Sequence, residues 1–323
     1  MKFSKLSEYY EKLEGTSKRL ELIDILSKLF KEASDDEIGK IAYLIQGRVA
    51  PFFEATEIGM AESMVAQAIA KAYGKTKEDV LKVYREKGNM GLAAKEFASK
   101  HKHVGNPTVE VVFDELSKIA RFSGKGTVEQ KVGTLAELLK TLDPVSVKHV
   151  ANIPLGTLRL GIGDPTVLDA LSIAKTGDKK LRPVLEAASN KTSDLGFVAE
   201  TFFKKGERAV ANTKLIVGKP IRPALAERMP NADEAVKRLG DEFVAEPKFD
   251  GFRVAIHKDG DKVKLFSRNL EDMTHAFPDL VEGVIAEVKA KTAILEGEAI
   301  AYNPETEEFL PFQETTKRKR KHE

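Results

Sequence analysis

Apolar residues recur at three- and four-residue intervals through the first two thirds of the chain, and this spacing is typical of amphipathic helices. The segment 17–33 puts its apolar residues on one predicted helical face: Leu20, Ile23, Leu26, Leu29 and Phe30. Comparable patterns, separated by short runs of Gly, Pro, Ser and Asp, cover 34–47, 107–124, 127–142, 144–163 and 164–177. Ser34 is the expected N-cap of the second helix. The pattern therefore predicts an all-α N-terminal domain over residues 1–217.

The periodicity changes after three prolines that interrupt helices, Pro220, Pro223 and Pro230. Beyond them, apolar runs predict strands at 242–249, 252–258, 262–268 and 293–302. Asp259-Gly260, between the second and third runs, is typical of a two-residue hairpin. One amphipathic helix is expected at 277–290. Residues 218–323 are therefore predicted to form the first part of an α+β domain with an antiparallel sheet.

The composition supports a globular protein with a heavily charged surface, since 42% of the 323 residues are hydrophobic and 32% are charged. The net charge is only +2, so binding to nucleic acid would depend on local basic patches. Because the chain has no cysteine, disulfides, thiolate nucleophiles and cysteine-based zinc sites are excluded. No apolar run has the length of a signal-peptide core or a membrane span. A cytoplasmic protein without membrane contact is therefore expected.

Lys248, Asp250 and Gly251 form a K-x-D-G sequence where one predicted strand ends and the next begins. A neutral lysine at a strand end that faces a cleft can act as a nucleophile. Gly251 would let the backbone turn sharply beside it, and Asp250 would hold the local geometry. The alternative is a plain surface turn between two strands, because Asp-Gly is common in turns. The motif alone does not decide between these interpretations.

Further stretches surround this motif. Glu246 precedes Lys248 on the same predicted strand, and Arg253, Arg268 in LFSRN and Glu298 in LEGEAIAY follow it. Together with EPKFDGFR, these stretches resemble the nucleophile, Ser-Arg and acidic strand motifs of the ATP-dependent DNA ligases of archaeal and eukaryotic type. FSGKGTVEQKVGTLAELL and LGTLRLGIGDPTVLDAL are similar to segments of that family's helical DNA-binding domain, and GKPIRPALA resembles the entry into its catalytic core. The resemblance covers nearly the whole chain.

The resemblance implies an enzyme that uses ATP and Mg²⁺ to seal nicks in double-stranded DNA through a lysyl-AMP and a DNA-adenylate. Within the nucleotidyltransferase domain, Lys248 would attack the α-phosphate of ATP, and Glu246 would accept a hydrogen bond from the adenine amino group. Arg253 and Arg268 would contact ribose or phosphate, and Glu298 would contact the ribose or help to hold the metal. For both arginines, a cross-strand ion pair on a solvated face is the alternative.

Two glycine-containing loops precede predicted helices in the helical domain. The first glycine loop is SGKGT at 123–127, and the second is GTLRLGIG at 156–163. Backbone N–H groups at helix starts suit phosphates, and basic residues accompany both loops. Lys125, Lys131 and Arg159 are therefore predicted to contact the DNA backbone without reading its sequence. Ordinary helix capping is the alternative.

The resemblance also implies that the chain is cut within its adenylation domain. The family's core continues with an aromatic strand, a second acidic motif, further lysines and an OB-fold domain, and none of these follows TTKRKRKHE. The 323-residue chain is therefore expected to seal nicks weakly or not at all, and its adenylation is expected to be very weak or absent. Self-association through apolar residues near Phe309 and Phe312 is also expected. The basic run 317–321 is interpreted as a solvated segment that touches DNA.

Other functions stay open. One is a non-catalytic fragment that binds nicked duplex DNA, and a less favoured one is an RNA ligase or a capping-type nucleotidyltransferase. A sliding clamp is a candidate protein partner.

Overall fold

The computed structural model describes residues 1–54 and 56–317 and divides into two compact units. Unit 1 comprises 1–189 and 194–214, and unit 2 comprises 190–193 and the residues from 215 onward. The predicted domain boundary, after residue 217, lies three residues from the main division after Lys214. Within the described residues, no helix has both the length and the apolar content that crossing a membrane requires.

Unit 1 is helical, as the apolar spacing predicts, and its helices enclose one apolar core that includes Phe3, Tyr10 and Phe30. The helices are α1 (Phe3–Glu14), α2 (Arg19–Glu32), α3 (Ile38–Leu44), α4 (Glu62–Tyr73), α5 (Lys77–Lys87), α6 (Met90–Ala98), α7 (Val109–Arg121), α8 (Thr127–Lys140), α9 (Pro144–Asn152), α10 (Asp164–Thr176), α11 (Arg182–Thr192), α12 (Leu195–Lys205) and α13 (Glu207–Ala211). The last residues of α11 are counted with unit 2.

Helix α2 follows its predicted face except at its start. Ile23, Leu26 and Phe30 are buried, whereas Leu20 is 75% exposed and Leu22 is buried. At 100° per residue, Leu20 lies about 120° around the helix from the centre of the buried face. An apolar side chain at the correct sequence spacing from Ile23 therefore still faces solvent.

Helix α3 begins later than predicted, and Ser34 is not its N-cap. The chain first turns through residues 35–37, and the helix begins at Ile38. The Oγ of Ser34 donates a hydrogen bond to the carboxylate of Glu37 at 3.0 Å, and the same carboxylate pairs with the amino group of Met1. The side chain expected to cap the helix is therefore engaged in the preceding turn.

Unit 2 contains a small antiparallel sheet and helices. Its elements are α14 (Ala232–Leu239), β1 (Phe252–Asp259), β2 (Lys262–Ser267), a 3-10 turn (Thr274–Ala276), α15 (Pro278–Glu287), β3 (Thr292–Ala299), β4 (Tyr302–Asn303), β5 (Glu308–Phe309) and α16 (Phe312–Lys317). The main sheet has the order β2-β1-β3, and β4 pairs with β5. The predicted hairpin is confirmed, because Asp259 pairs with Lys262 and Gly260 has a φ of +59°.

The strand predicted over 242–249 is wrong. Residues 242–250 form no strand, and Phe243 and Val244 are 50% and 85% exposed. No strand of the described residues pairs with this stretch, and Pro247 has no N–H to offer a ladder. Glu246 and Lys248 therefore do not share the face of a strand.

One face of the β2-β1-β3 sheet packs on α15. Val254 and Leu265 share a buried cluster with Phe277 and Val284. Lys258 is also buried, and its ammonium group donates hydrogen bonds to the carbonyl oxygens of Val288 and Ala290. These carbonyls follow the end of α15, where the helix dipole favours a positive charge. The buried lysine therefore caps the helix and fixes the loop into β3.

The final described residues include two exposed aromatic side chains. Phe309 and Phe312 are 66% and 36% exposed. Their exposure agrees with the expected self-association, which stays a prediction. Apart from Lys317, the basic run 317–321 lies outside the described residues.

Candidate functional site

Charged residues from three neighbouring strands or their ends meet at one end of the sheet in unit 2. In the β1–β3 ladder, Arg253 lies directly opposite Glu298. In the β1–β2 ladder, Val254 lies opposite Ser267, so that Arg268 follows at the same end. The sheet register therefore brings two predicted cationic residues and one predicted carboxylate into the same neighbourhood.

Gly251 packs against the end of β3. A Cβ atom on Gly251 would lie 2.7 Å from the Cγ of Glu298, from the carbonyl oxygen of Ala299 and from the Cγ1 of Ile300. Contacts this short are sterically forbidden, so only glycine fits here without a shift of the backbone. The φ of Gly251 lies outside the left-handed region, so the backbone conformation here does not itself require glycine. Glycine is required by the close contact with β3, and not by the sharp turn that the sequence predicted. This contact sets the K-x-D-G stretch directly beside Glu298.

Lys248 and Glu246 extend into solvent from the irregular segment before β1. The Nζ of Lys248 lies 3.5 Å from the carbonyl oxygen of Phe249, at the long limit for a hydrogen bond. The ring of Phe249 packs edge-on against the ring of Phe309, with 6.3 Å between the centroids. The candidate nucleophile is therefore accessible, while two residues that follow it, Phe249 through its ring and Gly251 through its backbone, pack against the rest of the unit.

Arg253 forms an ion pair with Glu296, which lies diagonally across from it on β3. The Nη2 of Arg253 lies 2.5 Å from the Oε2 of Glu296, and the two side chains are 43% and 37% exposed. This is the cross-strand pair that was the alternative for Arg253. Exposed pairs of this kind contribute at most about 1 kcal/mol to stability, so an incoming anion could displace the carboxylate. The sequence interpretation did not single out Glu296.

Arg268 lies in the turn after β2, and hydrogen bonds to Ser267 fix the backbone of this turn. The Oγ of Ser267 accepts hydrogen bonds from the backbone N–H groups of Asn269 and Glu271, both at 3.2 Å. Leu270 is buried with a φ of +67°, a left-handed conformation that is unfavourable for a residue other than glycine. The serine of LFSRN therefore shapes the turn. Arg268 is exposed and forms no ion pair with another described residue, so its guanidinium can bind an anion.

The first glycine loop lies near lysines that are about fifty residues away in the sequence. Gly124 and Gly126 both have a φ of +81°, and Gly126 is the N-cap of α8. Gly126 borders a cavity of about 650 Å³ that is also lined by Lys71, Lys75 and Lys77. Lys125, within the loop, is exposed. In the described part of the chain none of these four lysines has an ion-pair partner, and Glu129 is the one acidic residue that lines the cavity, so positive charge prevails at the α8 start.

Lys131 does not join this surface, contrary to its predicted contact with DNA. Its side chain is only 7% exposed, and its Nζ donates a 2.6 Å hydrogen bond to the carbonyl oxygen of Ile58. Lys131 lies one helical turn before Leu135, which is fully buried, and therefore shares the inner face of α8. Its ammonium group holds the chain at Ile58 and is not available to a phosphate.

The second glycine loop borders a larger cavity of about 720 Å³, lined by residues of 46–49, 56–62 and 153–156. A Cβ on Gly47 would contact the Cβ of Leu158 at 3.7 Å, so the loop starts beside the 46–49 segment. Arg159 is exposed, Gly161 has a φ of +68°, and Gly163 is the N-cap of α10. The predicted helix start and exposed cation are therefore both present.

Arg48 is a further basic residue of this cavity that the sequence interpretation missed. Its guanidinium lies 4.3 Å from the ring centroid of Phe52, which is 46% exposed. Burial lowers the pKa of Arg48 from its ordinary value. Arg48 comes from a segment more than a hundred residues before Arg159, and only the fold brings their loops together.

Comparisons with known proteins match both parts of the chain. Residues 2–172 match the family described as DNA ligase N terminus, and residues 223–323 match the family described as ATP dependent DNA ligase domain. The order of the two matches is the order of the helical unit and the sheet-containing unit.

Individual relatives agree with these families. The chain is 52% identical to a probable DNA ligase of Dictyoglomus turgidum over 323 residues, covering 100% of the chain and 55% of the relative. It is 43% identical to DNA ligase 2 of Thermofilum pendens, covering 99% of the chain and 55% of the relative. It is 42% identical to a DNA ligase of Nitrosopumilus maritimus, again covering 100% and 55%. The chain thus spans little more than half the length of these relatives.

Proposed function

The chain belongs to the ATP-dependent DNA ligases, and on that premise we propose that it forms a covalent adenylate on Lys248 for the joining of nicks in duplex DNA. The observation that supports this most directly is the contact of Gly251 with the end of β3. It sets the K-x-D-G stretch beside Glu298, at the end of the sheet where Arg253 and Arg268 also lie.

The proposed first step is nucleophilic substitution at phosphorus. The neutral amine of Lys248 forms a bond to the α-phosphorus of ATP while the bond from that phosphorus to the pyrophosphate oxygen breaks. The electron pair leaves with pyrophosphate, and the amine releases its proton to solvent. Negative charge grows on the departing oxygens, so nearby cations lower the barrier. Arg253 and Arg268 are the cations proposed for this role.

The remaining nucleotide contacts follow from donor and acceptor chemistry. Glu246 offers a carboxylate to the adenine amino group, and Glu298 offers one to the ribose or to Mg²⁺. Carboxylate oxygens are the ligands that Mg²⁺ prefers, and the bound ion would neutralise phosphate charge. For Arg253 to contact the nucleotide, its ion pair with Glu296 has to open.

For the helical unit, we propose contact with the phosphates of nicked duplex DNA at both glycine loops. The first loop combines the N-terminus of α8 with Lys125 and the lysines around the adjoining cavity. The second combines the N-terminus of α10 with Arg159 and lies next to the cavity that Arg48 lines. Backbone N–H groups and flexible cations bind phosphate without reading base sequence, as the joining of arbitrary nicks requires.

After adenylation, the AMP would pass from Lys248 to the 5′-phosphate of the nick, with the lysine amine as the leaving group. The 3′-hydroxyl would then attack that phosphate and release AMP. These later steps and the DNA substrate are proposed for a protein of the relatives' full length. The relatives are nearly twice as long as this chain.

Incubation with ATP labelled at the α-phosphate and Mg²⁺, followed by a denaturing gel, tests the proposal. We expect a covalent label on a chain extended to the length of its relatives, and Lys248→Ala should abolish that label. Lys248→Arg should also fail, because a guanidinium stays protonated. Lys262→Ala is the matched control, since Lys262 is an exposed lysine at the far end of β1–β2. Undiminished labelling of the Lys248→Ala chain would refute the assignment.

A second function is favoured by the same geometry if adenylation proves very slow. Lys248 is exposed, and its Nζ has only a long 3.5 Å contact with the carbonyl oxygen of Phe249. The chain would then bind nicked duplex through unit 1 without chemistry. A normal affinity for nicked DNA without any covalent label would identify this case. An RNA substrate preferred to DNA would point instead to an RNA ligase.

Two narrower elements complete the proposal. The first is location: the chain acts in the cytoplasm. A DNA substrate and the absence of cysteine are both consistent with this compartment. A sliding clamp is the proposed protein partner, on the resemblance alone, and co-elution of the chain with a purified clamp tests it.

A further inference from the structure

A cluster of ionisable side chains in unit 1 lies between α1 and α9. Glu11 and Glu14 come from α1, one helical turn apart, and Lys148 and His149 come from α9. The ammonium of Lys148 lies 2.6 Å from a carboxylate oxygen of Glu11 and also contacts Glu14. Potential ligand atoms of Glu11, Glu14 and His149 all lie within 4.8 Å of one another. The cluster belongs to neither the adenylation site nor the two glycine loops.

His149 is fully buried, yet neither of its ring nitrogens has a hydrogen-bond partner in the described residues. Its Nε2 lies 3.0 Å from the Oε1 of Glu11, and its Nδ1 lies 3.6 Å from the Oε1 of Glu14, but neither approach has the geometry of a hydrogen bond. A buried polar group without a partner costs about 1–3 kcal/mol. The imidazole is therefore aimed at two carboxylates without being satisfied by them.

The Nε2 of His149 and the Oε1 of Glu11 already have the separation of two ligands on one ion, whereas Glu14 faces Nδ1 and has to turn towards Nε2 to join them. Two ligand atoms on a metal with bonds of about 2.1 Å lie about 3.0–3.4 Å apart, which matches the distance from Nε2 to Glu11. Burial lowers the pKa of His149 to about 4, so the imidazole is neutral at pH 7. One imidazole with two carboxylates is a donor set that suits Zn²⁺ and related divalent metals.

Lys148 acts as an internal competitor for the same oxygens. Its side chain is only 12% exposed, and its charge offsets one of the two carboxylates. The side chains of Glu11 and Glu14 are 38% and 28% exposed, so an ion can enter from their side. A bound ion would displace the ammonium from the shared oxygen of Glu11, and the flexible lysine stem allows that movement.

We propose that Glu11, Glu14 and His149 form a site for a divalent transition metal that cross-links α1 to α9. The ion satisfies the buried imidazole nitrogen and stabilises unit 1, and it takes no part in adenylation. Nothing in the chemistry of nick joining requires these residues, so their loss leaves Lys248 chemistry unchanged.

The test is titration of the whole chain with Zn²⁺ at pH 7, measured by calorimetry and by the thermal midpoint of unfolding. We expect one ion per chain and a rise in the midpoint as Zn²⁺ is added, because binding to the folded state alone stabilises it. Glu14→Gln should weaken binding by about tenfold or more through the loss of one ligand. Glu8→Gln is the control on the same helix, because Glu8 is exposed and is not in the cluster.

The decisive variant is Lys148→Met. Removal of the competing ammonium should tighten Zn²⁺ binding by about tenfold, because a unit charge a few ångströms away no longer opposes the ion. His149→Asn should weaken Zn²⁺ binding as Glu14→Gln does. If that variant fails to fold, Glu14→Gln and Lys148→Met still test the site, because both leave the buried imidazole in place. Equal Zn²⁺ affinity in the parent, Glu14→Gln and Lys148→Met chains would overturn the proposal and indicate nonspecific binding by surface carboxylates.

Discussion

Gly251 lies so close to Glu298 that no side chain fits at position 251 unless Glu298 or the backbone moves. The Cβ of any residue other than glycine at 251 would lie 2.7 Å from the Cγ of Glu298. Gly251 ends the K-x-D-G stretch, and Glu298 lies in the ladder opposite Arg253. The end of the K-x-D-G stretch and the candidate carboxylate are thus kept adjacent because residue 251 has no side chain.

Gly251→Ala is expected to reduce adenylate formation by about a hundredfold, because a shift of about 1 Å in a reacting group has that effect. The measurement is the initial rate of label transfer from ATP to the chain. Gly283→Ala is the matched control, since a Cβ on Gly283 in α15 meets nothing within 4 Å. A Gly251→Ala chain that is folded and labels at the parent rate would contradict the proposed role of this contact.

Charge reversal at Lys125 or Arg159 is expected to weaken DNA binding for all sequences alike. The plot of log affinity against log salt has a negative slope. Each change should make this slope less steep by about one, because one fewer counterion is released from the phosphates. Titration of labelled nicked duplexes of unrelated sequence at several salt concentrations measures both effects. Loss of affinity for only one sequence would indicate base contact instead. A slope unchanged by either variant would remove these residues from the interface.

Lys131→Met is expected to destabilise unit 1 by about 1–3 kcal/mol, because the carbonyl oxygen of Ile58 loses its buried partner. The salt slope of DNA binding should stay unchanged, since the ammonium is not available to a phosphate. Lys125→Met is the comparison variant, because an exposed substitution should change stability by less than about 0.5 kcal/mol. Denaturant unfolding provides the stability values. Equal stabilities of the two variants would be incompatible with the assigned burial of Lys131.

The helices could be predicted because their signal is local. The spacing of Ile23, Leu26 and Phe30 indicates both the helix and its buried face. The strand predicted over 242–249 failed for the opposite reason, because an alternating segment becomes a strand only when a neighbour pairs with it. The hairpin at Asp259-Gly260 succeeded because both strands and their turn lie within 16 residues, from Phe252 to Ser267.

The candidate site shows the same division between local and distant information. Motif order identified Lys248, Arg268 and Glu298, and the sheet places the latter two at one end. Burial could not be read from the sequence, so Lys131 was assigned to DNA although it lies inside. Nor could distant neighbours be found, and the lysines beside the first glycine loop therefore escaped prediction.

His257 makes the attachment of the segment at Gly218 sensitive to acid. The N–H of Gly218 donates a 2.9 Å hydrogen bond to Nδ1 of His257, so this nitrogen carries no proton in the folded state. Burial, with a smaller contribution from Lys264, lowers the pKa of His257 to about 4. In the unfolded chain the imidazole has its ordinary pKa of about 6.5, so between about pH 6.5 and pH 4 the unfolded state binds a proton that the folded state excludes.

The stability of unit 2 should therefore be fully present above about pH 6.5 and fall as the pH is lowered towards 4, by at most about 1.4 kcal/mol per pH unit. Hydrogen exchange at the Gly218 amide, corrected for its intrinsic pH dependence, measures this opening directly. His257→Gln keeps an acceptor but does not titrate, and its protection should be nearly independent of pH across the same range. Direct titration of the His257 ring by NMR gives an independent reading. A ring that titrates near pH 6.5 in the folded chain, or identical pH dependence in His257→Gln, would show that this imidazole is not the acid-sensitive group.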